Sequence, residues 1–165
     1  MMITYEPVGF IHTPFRSLNS IPIQPVAGRN FQGYIDILPE YHECLQDLAG
    51  FSHIILIYHF HLSQGFTSQV VPFLDKVPRG LFATRAPRRP NQIGLSTVSL
   101  DRIEKNRLFI SNIDIVDGTP LLDIKPWIQA ADCPDLTSIR SGWLEEKGAD
   151  FAARFSDNRF TDQDG

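Results

Sequence analysis

The sequence predicts a mainly β domain, folded as a closed or nearly closed barrel with short helices and a C-terminal appendage. Twelve prolines and eleven glycines divide the 165 residues into short segments, which suit strands better than long helices. Ser52–Leu62 is apolar on both faces, as expected of a strand within a barrel wall. The 42% of apolar and 21% of charged residues are typical of a globular chain and exclude disorder and collagen-like repetition.

Alternating and periodic apolar residues place the elements in order along the chain. Six strands are predicted, at Val8–His12, Phe31–Leu38, Ser52–Leu62, Leu95–Glu104, Arg107–Ile113 and Leu121–Ile124. The fourth and fifth strands flank the polar pair Lys105-Asn106 and indicate a hairpin. Tyr41–Leu48 is predicted to be a short helix ending at Gly50, because its apolar residues recur at i, i+3, i+4 and i+7.

The character of the chain changes after Pro134. We therefore expect a barrel domain over 1–134 and a helical appendage with a frayed acidic tail over 135–165. The appendage residues with the spacing of an amphipathic helix are Trp143, Leu144, Phe151 and Phe155. The N-terminus lacks the pattern of a signal peptide, and the most apolar stretch is shorter than the roughly 20 residues of a membrane span. A cytoplasmic protein without membrane contact is expected.

Four arginines precede the fourth predicted strand: Arg79, Arg85, Arg88 and Arg89, braced by Pro87 and Pro90. Proline lowers the entropy lost when a loop is fixed around a ligand, and guanidinium groups bind carboxylates or phosphates through paired hydrogen bonds. A solvated basic loop explains the same residues equally well. The formal net charge of −4 argues against a nucleic-acid binder that uses its whole surface, but it leaves a local basic face open.

A second polar segment, 114–127, interleaves Asp114, Asp117, Asp123 and Lys125 with apolar residues. An unpaired buried carboxylate is costly, so these groups are expected to face a pocket, pair with the arginines or bind hydroxyls and amines of a ligand. A purely structural interpretation explains Asp117 as part of a turn and Asp123 as the partner of Lys125. That interpretation leaves Asp114 unexplained.

Three histidines, His53, His59 and His61, fall on one face of the third predicted strand. A His-x-His pair can bind zinc, but no nearby Cys or acidic residue has suitable spacing, so hydrogen-bonded histidines are favoured and no metal is predicted. Cys44 and Cys133 lack Cys-x-x-Cys spacing and are expected to be reduced thiols. The sequence also lacks a Rossmann fingerprint, a Walker loop and a Gly-x-Ser-x-Gly elbow, so covalent nucleophilic catalysis is weakly supported.

Several separated motifs run in order from about Tyr5 to Trp127. They are Val8-Gly9-Phe10-Ile11-His12-Thr13-Pro14-Phe15, Pro22-Ile23-Gln24-Pro25, Gly50-Phe51-Ser52-His53, Gly80-Leu81-Phe82-Ala83-Thr84-Arg85, Arg89-Pro90-Asn91-Gln92-Ile93-Gly94, Asp117-Gly118-Thr119-Pro120 and Asp123-Ile124-Lys125-Pro126. This series resembles the TrmO/TsaA-like family of S-adenosylmethionine-dependent methyltransferases that act on tRNA. The resemblance implies a β-barrel enzyme, unrelated to the Rossmann type, that works as a homodimer with the cofactor near the subunit interface. The implied reaction is N6-methylation of threonylcarbamoyladenosine at position 37, next to the anticodon.

The same resemblance assigns roles to residues of this chain. The implied contacts to S-adenosylmethionine are Gln24, Pro25, Val26, His61, Leu62, Arg85, Leu95, Asp114, Ile115, Val116 and Asp117. From the chemistry of methyl transfer, the predicted catalytic residues are Arg85, Asp117 and His61, and the residues expected to bind the substrate are Arg88, Arg89, Asn91 and Lys125.

The sequence departs from the family pattern in two places. The common Asn-Pro-Ile-Gly motif is Asn91-Gln92-Ile93-Gly94 here, and the stretch after Pro134 is too short and acidic for the C-terminal domain of longer members. Methylation of a small molecule is therefore an alternative to methylation of tRNA, and a non-enzymatic module that binds a cofactor or a metal is a third possibility.

Overall fold

Eight strands are formed by the described residues, which are 1–17, 31–72, 75–133 and 135–147 of this computed structural model. They are β1 (Gly9–His12), β2 (Gln32–Ile37), β3 (His53–His59), β4 (Gln69–Val70), β5 (Arg79–Gly80), β6 (Ile93–Glu104), β7 (Arg107–Ser111) and β8 (Thr119–Pro126). Six strands pair antiparallel in the order β1-β2-β7-β6-β3-β8, and β8 returns to β1 to close a barrel. β4 and β5 form a separate ribbon within the connection from β3 to β6.

Side chains from all six barrel strands fill the interior. The fully buried ones are aliphatic: Ile11, Ile35, Ile54, Leu56, Val98, Leu108, Ile110 and Leu121, with Ile113 added from the connection after β7. Inward and outward positions alternate along each strand, so that Ile54, Leu56 and Tyr58 of β3 face the interior. The barrel is therefore a packed core, and the residues at its ends are left to carry the chemistry.

The helices of the described residues are all short. The 3₁₀ helices are Pro39–Leu45, Leu48–Gly50, Leu81–Ala83, Leu136–Ser138 and Gly142–Lys147, and the α-helix, α1, is Gln129–Asp132. None of them has the length and apolar character needed to cross a membrane.

The predicted barrel is confirmed, but the single short helix predicted at Tyr41–Leu48 is divided into two 3₁₀ helices, Pro39–Leu45 and Leu48–Gly50. The division arises because Gln46 leaves helical geometry and Asp47 takes a left-handed conformation with φ of 63°. The apolar residues of the segment are half-buried and pack against the barrel core, as their spacing predicted; they are Tyr41, Leu45 and Leu48.

The third predicted strand is also shorter than expected. It ends at His59, because the amide of His61 donates a hydrogen bond of 2.8 Å to the carbonyl of His59 and turns the chain. His61 consequently does not share the strand face of His53 and His59.

The last predicted strand and the appendage differ from the sequence prediction as well. β8 begins at Thr119, two residues before the predicted start. The described part of the predicted C-terminal helix is the 3₁₀ helix Gly142–Lys147, while Phe151, Phe155 and the predicted tail lie outside the described residues.

Candidate functional site

Antiparallel pairing brings three connections to one end of the barrel. β1, β7 and β3 end there, and β2, β6 and β8 begin there. The connections are 13–31, 60–92 and 112–118, and we call this end of the barrel the loop end. Every residue that the family resemblance assigns to the cofactor belongs to one of them, except Leu95, the third residue of β6. Three of those residues lie outside the described part of the chain: Gln24, Pro25 and Val26.

Asp114 lies in the connection from β7 to β8. It is half-buried, between the buried Ile113 and Ile115. Its Oδ1 accepts a hydrogen bond of 2.8 Å from Ser96 Oγ of β6. Burial raises the pKa of this carboxyl group to about 6, while the Ser96 hydrogen bond and the positive charge of Arg85 act in the opposite direction. Arg85 of the arginine-rich segment and Asp114 of the segment 114–127 therefore interact electrostatically.

Ser96 links Asp114 to a third polar group, the hydroxyl of Tyr58 on β3. Tyr58 and Ser96 are 5% and 2% exposed, and the Tyr58 hydroxyl lies 3.0 Å from Ser96 Oγ. Burial raises the pKa of Tyr58, and the charge of Asp114 raises it further, so the phenol is protonated at neutral pH. Neither Tyr58 nor Ser96 was predicted as a site residue. The signal available in the sequence is Ser96 itself, a polar residue at an inward position of β6, where the other inward residues are Gly94, Val98 and Leu100.

Asp117 joins the connection after β1 to the connection before β8. Its Oδ1 accepts a hydrogen bond of 3.0 Å from the amide of Thr13, and its Oδ2 forms an ion pair with Arg16. The amide of Asp117 donates to the carbonyl of Phe15 at 2.8 Å, and the Thr13 hydroxyl donates to the carbonyl of Ile115 at 2.7 Å. These bonds fix the direction in which the chain leaves β1, at the start of the connection that contains the predicted cofactor residues 24–26.

The arginine-rich part of the loop end, 79–92, is anchored at its beginning. Arg79 Nη2 lies 2.7 Å from Oδ2 of Asp75, whose side chain is 1% exposed. The Arg79 guanidinium also lies 5.4 Å from the ring centre of Trp143, and Trp143 Nε1 donates a hydrogen bond of 2.9 Å to the carbonyl of Ala83. The described C-terminal segment thus packs onto this loop.

Arg89 supports the same loop from within. Its Nη1 donates to the carbonyls of Thr84 and Ala86, at 3.1 and 3.3 Å. Arg88 is half-buried, whereas Arg85 and Asn91 are exposed. Arg89 therefore has a structural role in the loop, and Arg85 and Asn91 are the exposed members of this predicted set.

His61 lies in the turn that follows β3. Burial lowers the pKa of its imidazole, and the neighbouring His59 lowers it further, so the ring is neutral at pH 7. His59 Nδ1 lies 3.2 Å from the carbonyl of Gln92, which ties the turn to the arginine-rich loop. No group of three or more His, Cys, Asp or Glu side chains that could hold a metal ion occurs among the residues described by the structure.

Large apolar side chains are exposed at the loop end, and we call them the apolar rim. Phe82 and Leu95 are 81% and 60% exposed. The other members are Leu62, Phe66 and Ile93. Exposed apolar side chains mark a site of interaction where they form one patch, and these five lie within or directly after the connection 60–92.

Lys125 does not lie at the loop end. It is the seventh residue of β8, towards the opposite end of the barrel, and its Nζ lies 2.7 Å from Asp123 Oδ2. This is the ion pair that the structural interpretation of the sequence predicted.

Comparison with known proteins gives a consistent result. The family model described as the tRNA-methyltransferase O N-terminal domain matches residues 10–133. A probable S-adenosyl-L-methionine-binding protein of Pyrococcus abyssi is 44% identical over 160 residues, which cover 97% of this chain and 86% of that protein. The human tRNA (adenine(37)-N6)-methyltransferase is 35% identical over 138 residues, which cover 78% of this chain and 31% of that protein.

The fold is likewise similar to that of a solved relative. The crystal structure of TrmO from Pseudomonas aeruginosa matches with a TM-score of 0.72 and 36% identity, over 87% of this chain and 63% of that one. This chain thus spans less than two thirds of the length of the solved protein. The family model, the identities to these relatives and the common barrel together show that the chain belongs to the TrmO family of S-adenosylmethionine-dependent tRNA methyltransferases.

Proposed function

We propose that this chain transfers a methyl group from S-adenosylmethionine to N6 of threonylcarbamoyladenosine at position 37 of tRNA. The observation that carries the proposal is the electrostatic contact between Asp114 and Arg85 at the end of the barrel where the connection that contains His61 also lies. Membership of a family whose human member is named tRNA (adenine(37)-N6)-methyltransferase supports the reaction. The barrel domain, 1–134, is the proposed catalytic unit.

The residues of the loop end fit S-adenosylmethionine. An amino-acid carboxylate suits the guanidinium of Arg85, and an amine or hydroxyl suits the carboxylate of Asp114. The exposed side chains of Leu62 and Leu95 offer apolar surface for an adenine ring. When bound, S-adenosylmethionine supplies a methyl group activated by a positively charged sulfur. The predicted contacts 24–26 and 115–117 complete the proposed set.

The residues of this chain then act by positioning the donor and by accepting one proton from the acceptor nitrogen. A methyl transfer needs in-line positioning of donor and acceptor, which Arg85 and Asp114 provide by orienting the donor. Methylation of N6 also displaces the proton of that nitrogen. His61 is neutral at pH 7 and is the proposed acceptor of this proton. Asp117 contributes by holding the connection after β1 in place.

The proposed acceptor is bound by the polar residues of the arginine-rich loop. Arg88 and Asn91 are the proposed contacts to tRNA, with Arg89 shaping the loop around them. A local basic loop on a chain with a net charge of −4 favours one bound face over general binding of nucleic acid. Because tRNA is modified inside the cell, we place the protein in the cytoplasm.

We also propose that the enzyme is a homodimer. The apolar rim lies at the same end of the barrel as the proposed cofactor residues and includes two of them, Leu62 and Leu95, and the exposure of Phe82 and Phe66 supports burial against a second copy. The second copy would cover the loop end and so complete the cofactor site.

The test is methyl transfer to tRNA in vitro. Purified protein is incubated with deuterium-labelled S-adenosylmethionine and with tRNA that carries unmethylated threonylcarbamoyladenosine, and the nucleosides are analysed by mass spectrometry. A labelled methyl group on threonylcarbamoyladenosine is expected. It should be lost in Asp114→Asn and retained in the matched control Asp123→Asn, which removes a carboxylate from the outside of β8.

Two outcomes would contradict the proposal in different ways. Calorimetric binding of S-adenosylmethionine without methylation of any tRNA would favour a small-molecule acceptor, to which the net charge of −4 is well suited. If S-adenosylmethionine does not bind, the remaining hypothesis is a non-enzymatic binding module.

A further inference from the structure

The packing of β3 against β6 places two polar groups inside the barrel. The register sets Tyr58 opposite Gly94 and Leu56 opposite Ser96, and all four residues face inward. Most neighbours of these groups in the interior are aliphatic. A polar group in such surroundings costs free energy unless it is hydrogen-bonded, and a well-packed apolar pair would serve stability at least as well. The presence of Tyr58 and Ser96 therefore calls for a role other than stability.

Gly94 makes room for the ring of Tyr58. A Cβ atom at position 94 would lie 2.5 Å from Cζ and 2.8 Å from Cδ2 of that ring, and closer still to Cε2. The ring thus occupies the space that any larger side chain would take. Phe60 packs edge-on against it, with ring centres 5.4 Å apart. The position of the hydroxyl group is fixed by these contacts.

The hydrogen bonds define the direction of the chain. Ser96 has one hydroxyl proton, and it donates this proton to Oδ1 of Asp114. Tyr58 must then be the donor in the contact of 3.0 Å between the two hydroxyl groups. Each bond polarises the next, and both favour the ionised form of Asp114.

Other groups also act on the charge of Asp114. Among the residues that the structure describes, the charged and titratable ones are Arg85, from the arginine-rich loop, and Tyr58, from β3, and a backbone hydrogen bond at Asp114 itself also favours the ionised form. Arg85 is exposed and stabilises the carboxylate from the solvent side. Ser96 stabilises it from the interior.

We infer that Tyr58 and Ser96 are positioning residues, which hold the carboxylate of Asp114 in one orientation and in its ionised form towards the ligand at the loop end. The inference rests on the proposed function, because it takes Asp114 to be a ligand contact. It assigns Gly94, the last residue of the Asn-Gln-Ile-Gly motif, to seating the ring of Tyr58.

The experiment measures the titration of Asp114 directly. The side-chain carboxyl carbon of Asp114 is followed by NMR from pH 4 to 9 in the ligand-free protein, for the wild type, Ser96→Ala and Tyr58→Phe. Loss of the Ser96 bond is expected to raise the midpoint by about one pH unit, and loss of the Tyr58 hydroxyl by less. The control Ser111→Ala removes a Ser–Asp hydrogen bond of 2.9 Å on the outside of the barrel and should leave the midpoint unchanged.

Affinity for S-adenosylmethionine is then measured by calorimetry in the same variants. With a midpoint raised by one unit, Ser96→Ala should bind about fivefold more weakly at pH 6 and nearly as well as the wild type at pH 8. An unchanged Asp114 midpoint in folded Ser96→Ala would overturn the inference, as would an affinity loss equal at both pH values. A wild type that does not bind S-adenosylmethionine refutes the proposed function instead, because the NMR titration needs no ligand.

Discussion

Replacement of Gly94 by alanine tests how tightly the interior is packed around Tyr58. The new methyl group would lie 2.5 to 2.8 Å from two atoms of the Tyr58 ring, well inside contact distance. The ring has to move, and the hydrogen bond to Ser96 is lost with it. Overpacking typically costs about 1–3 kcal/mol and a lost hydrogen bond about 1 kcal/mol, against a gain of up to about 1 kcal/mol from a less flexible unfolded chain.

The free energy of unfolding of Gly94→Ala should therefore fall by about 2–3 kcal/mol. In a domain of this size that corresponds to a decrease in Tm of about 4–12 °C. Urea denaturation followed by circular dichroism measures the change. Gly50→Ala is the matched control, because a Cβ atom there meets nothing within 4 Å; it should change stability by less than about 1 kcal/mol.

A double-mutant cycle identifies the cause of the loss. Tyr58→Val removes every ring atom that the new methyl group meets and retains a β-branched residue suited to a strand. In that background Gly94→Ala should be close to neutral. An equal loss of unfolding free energy from Gly94→Ala in both backgrounds would show that the clash with Tyr58 is not its cause, and would refute the role given to Gly94.

Three further predictions concern charge and association. Burial raises the pKa of Asp114 from 3.8 to about 6, so between these pH values the folded protein binds more protons than the unfolded chain. As the pH rises through this range, the carboxyl group should lower the free energy of unfolding by up to about 3 kcal/mol. Denaturation of Asp114→Asn from pH 4 to 8 should lack this decline. If Arg88 contacts a phosphate, Arg88→Ala should reduce the slope of log affinity for tRNA against log salt concentration by about one in filter binding, whereas Arg102→Ala on the outside of β6 should leave the slope unchanged. Sedimentation should give a monomer for Ile93→Glu and a dimer for Phe10→Glu, and a dimer in both would remove the apolar rim from the interface.

The sequence predicts the barrel well because strand patterns are local. The two-faced apolar segment Ser52–Leu62 indicates a strand inside a closed wall, and β3 is that strand. The hairpin around Lys105-Asn106 is found where it was predicted, between β6 and β7. The predicted ends of strands are less accurate. The end of β3 is an example, since the turn at His61 depends on a hydrogen bond that the alternation of residue types does not indicate.

The site was predicted only in part, for the same physical reason. Asp117 was expected from its turn, but its partner Thr13 is 104 residues away, and no pattern within either segment indicates that contact. Tyr58 looked like one more aromatic residue of an apolar strand. Its hydroxyl has meaning only once the register of β3 and β6 brings it beside Ser96.

The filled barrel limits the routes by which a cofactor can enter and leave the protein. Side chains such as Leu56, Val98 and Leu108 close its centre completely, so nothing passes from one end to the other. A cofactor bound at the proposed site would therefore enter and leave on the same side of the barrel. S-adenosylhomocysteine would bind to the same residues as S-adenosylmethionine, so accumulated product should compete with fresh donor.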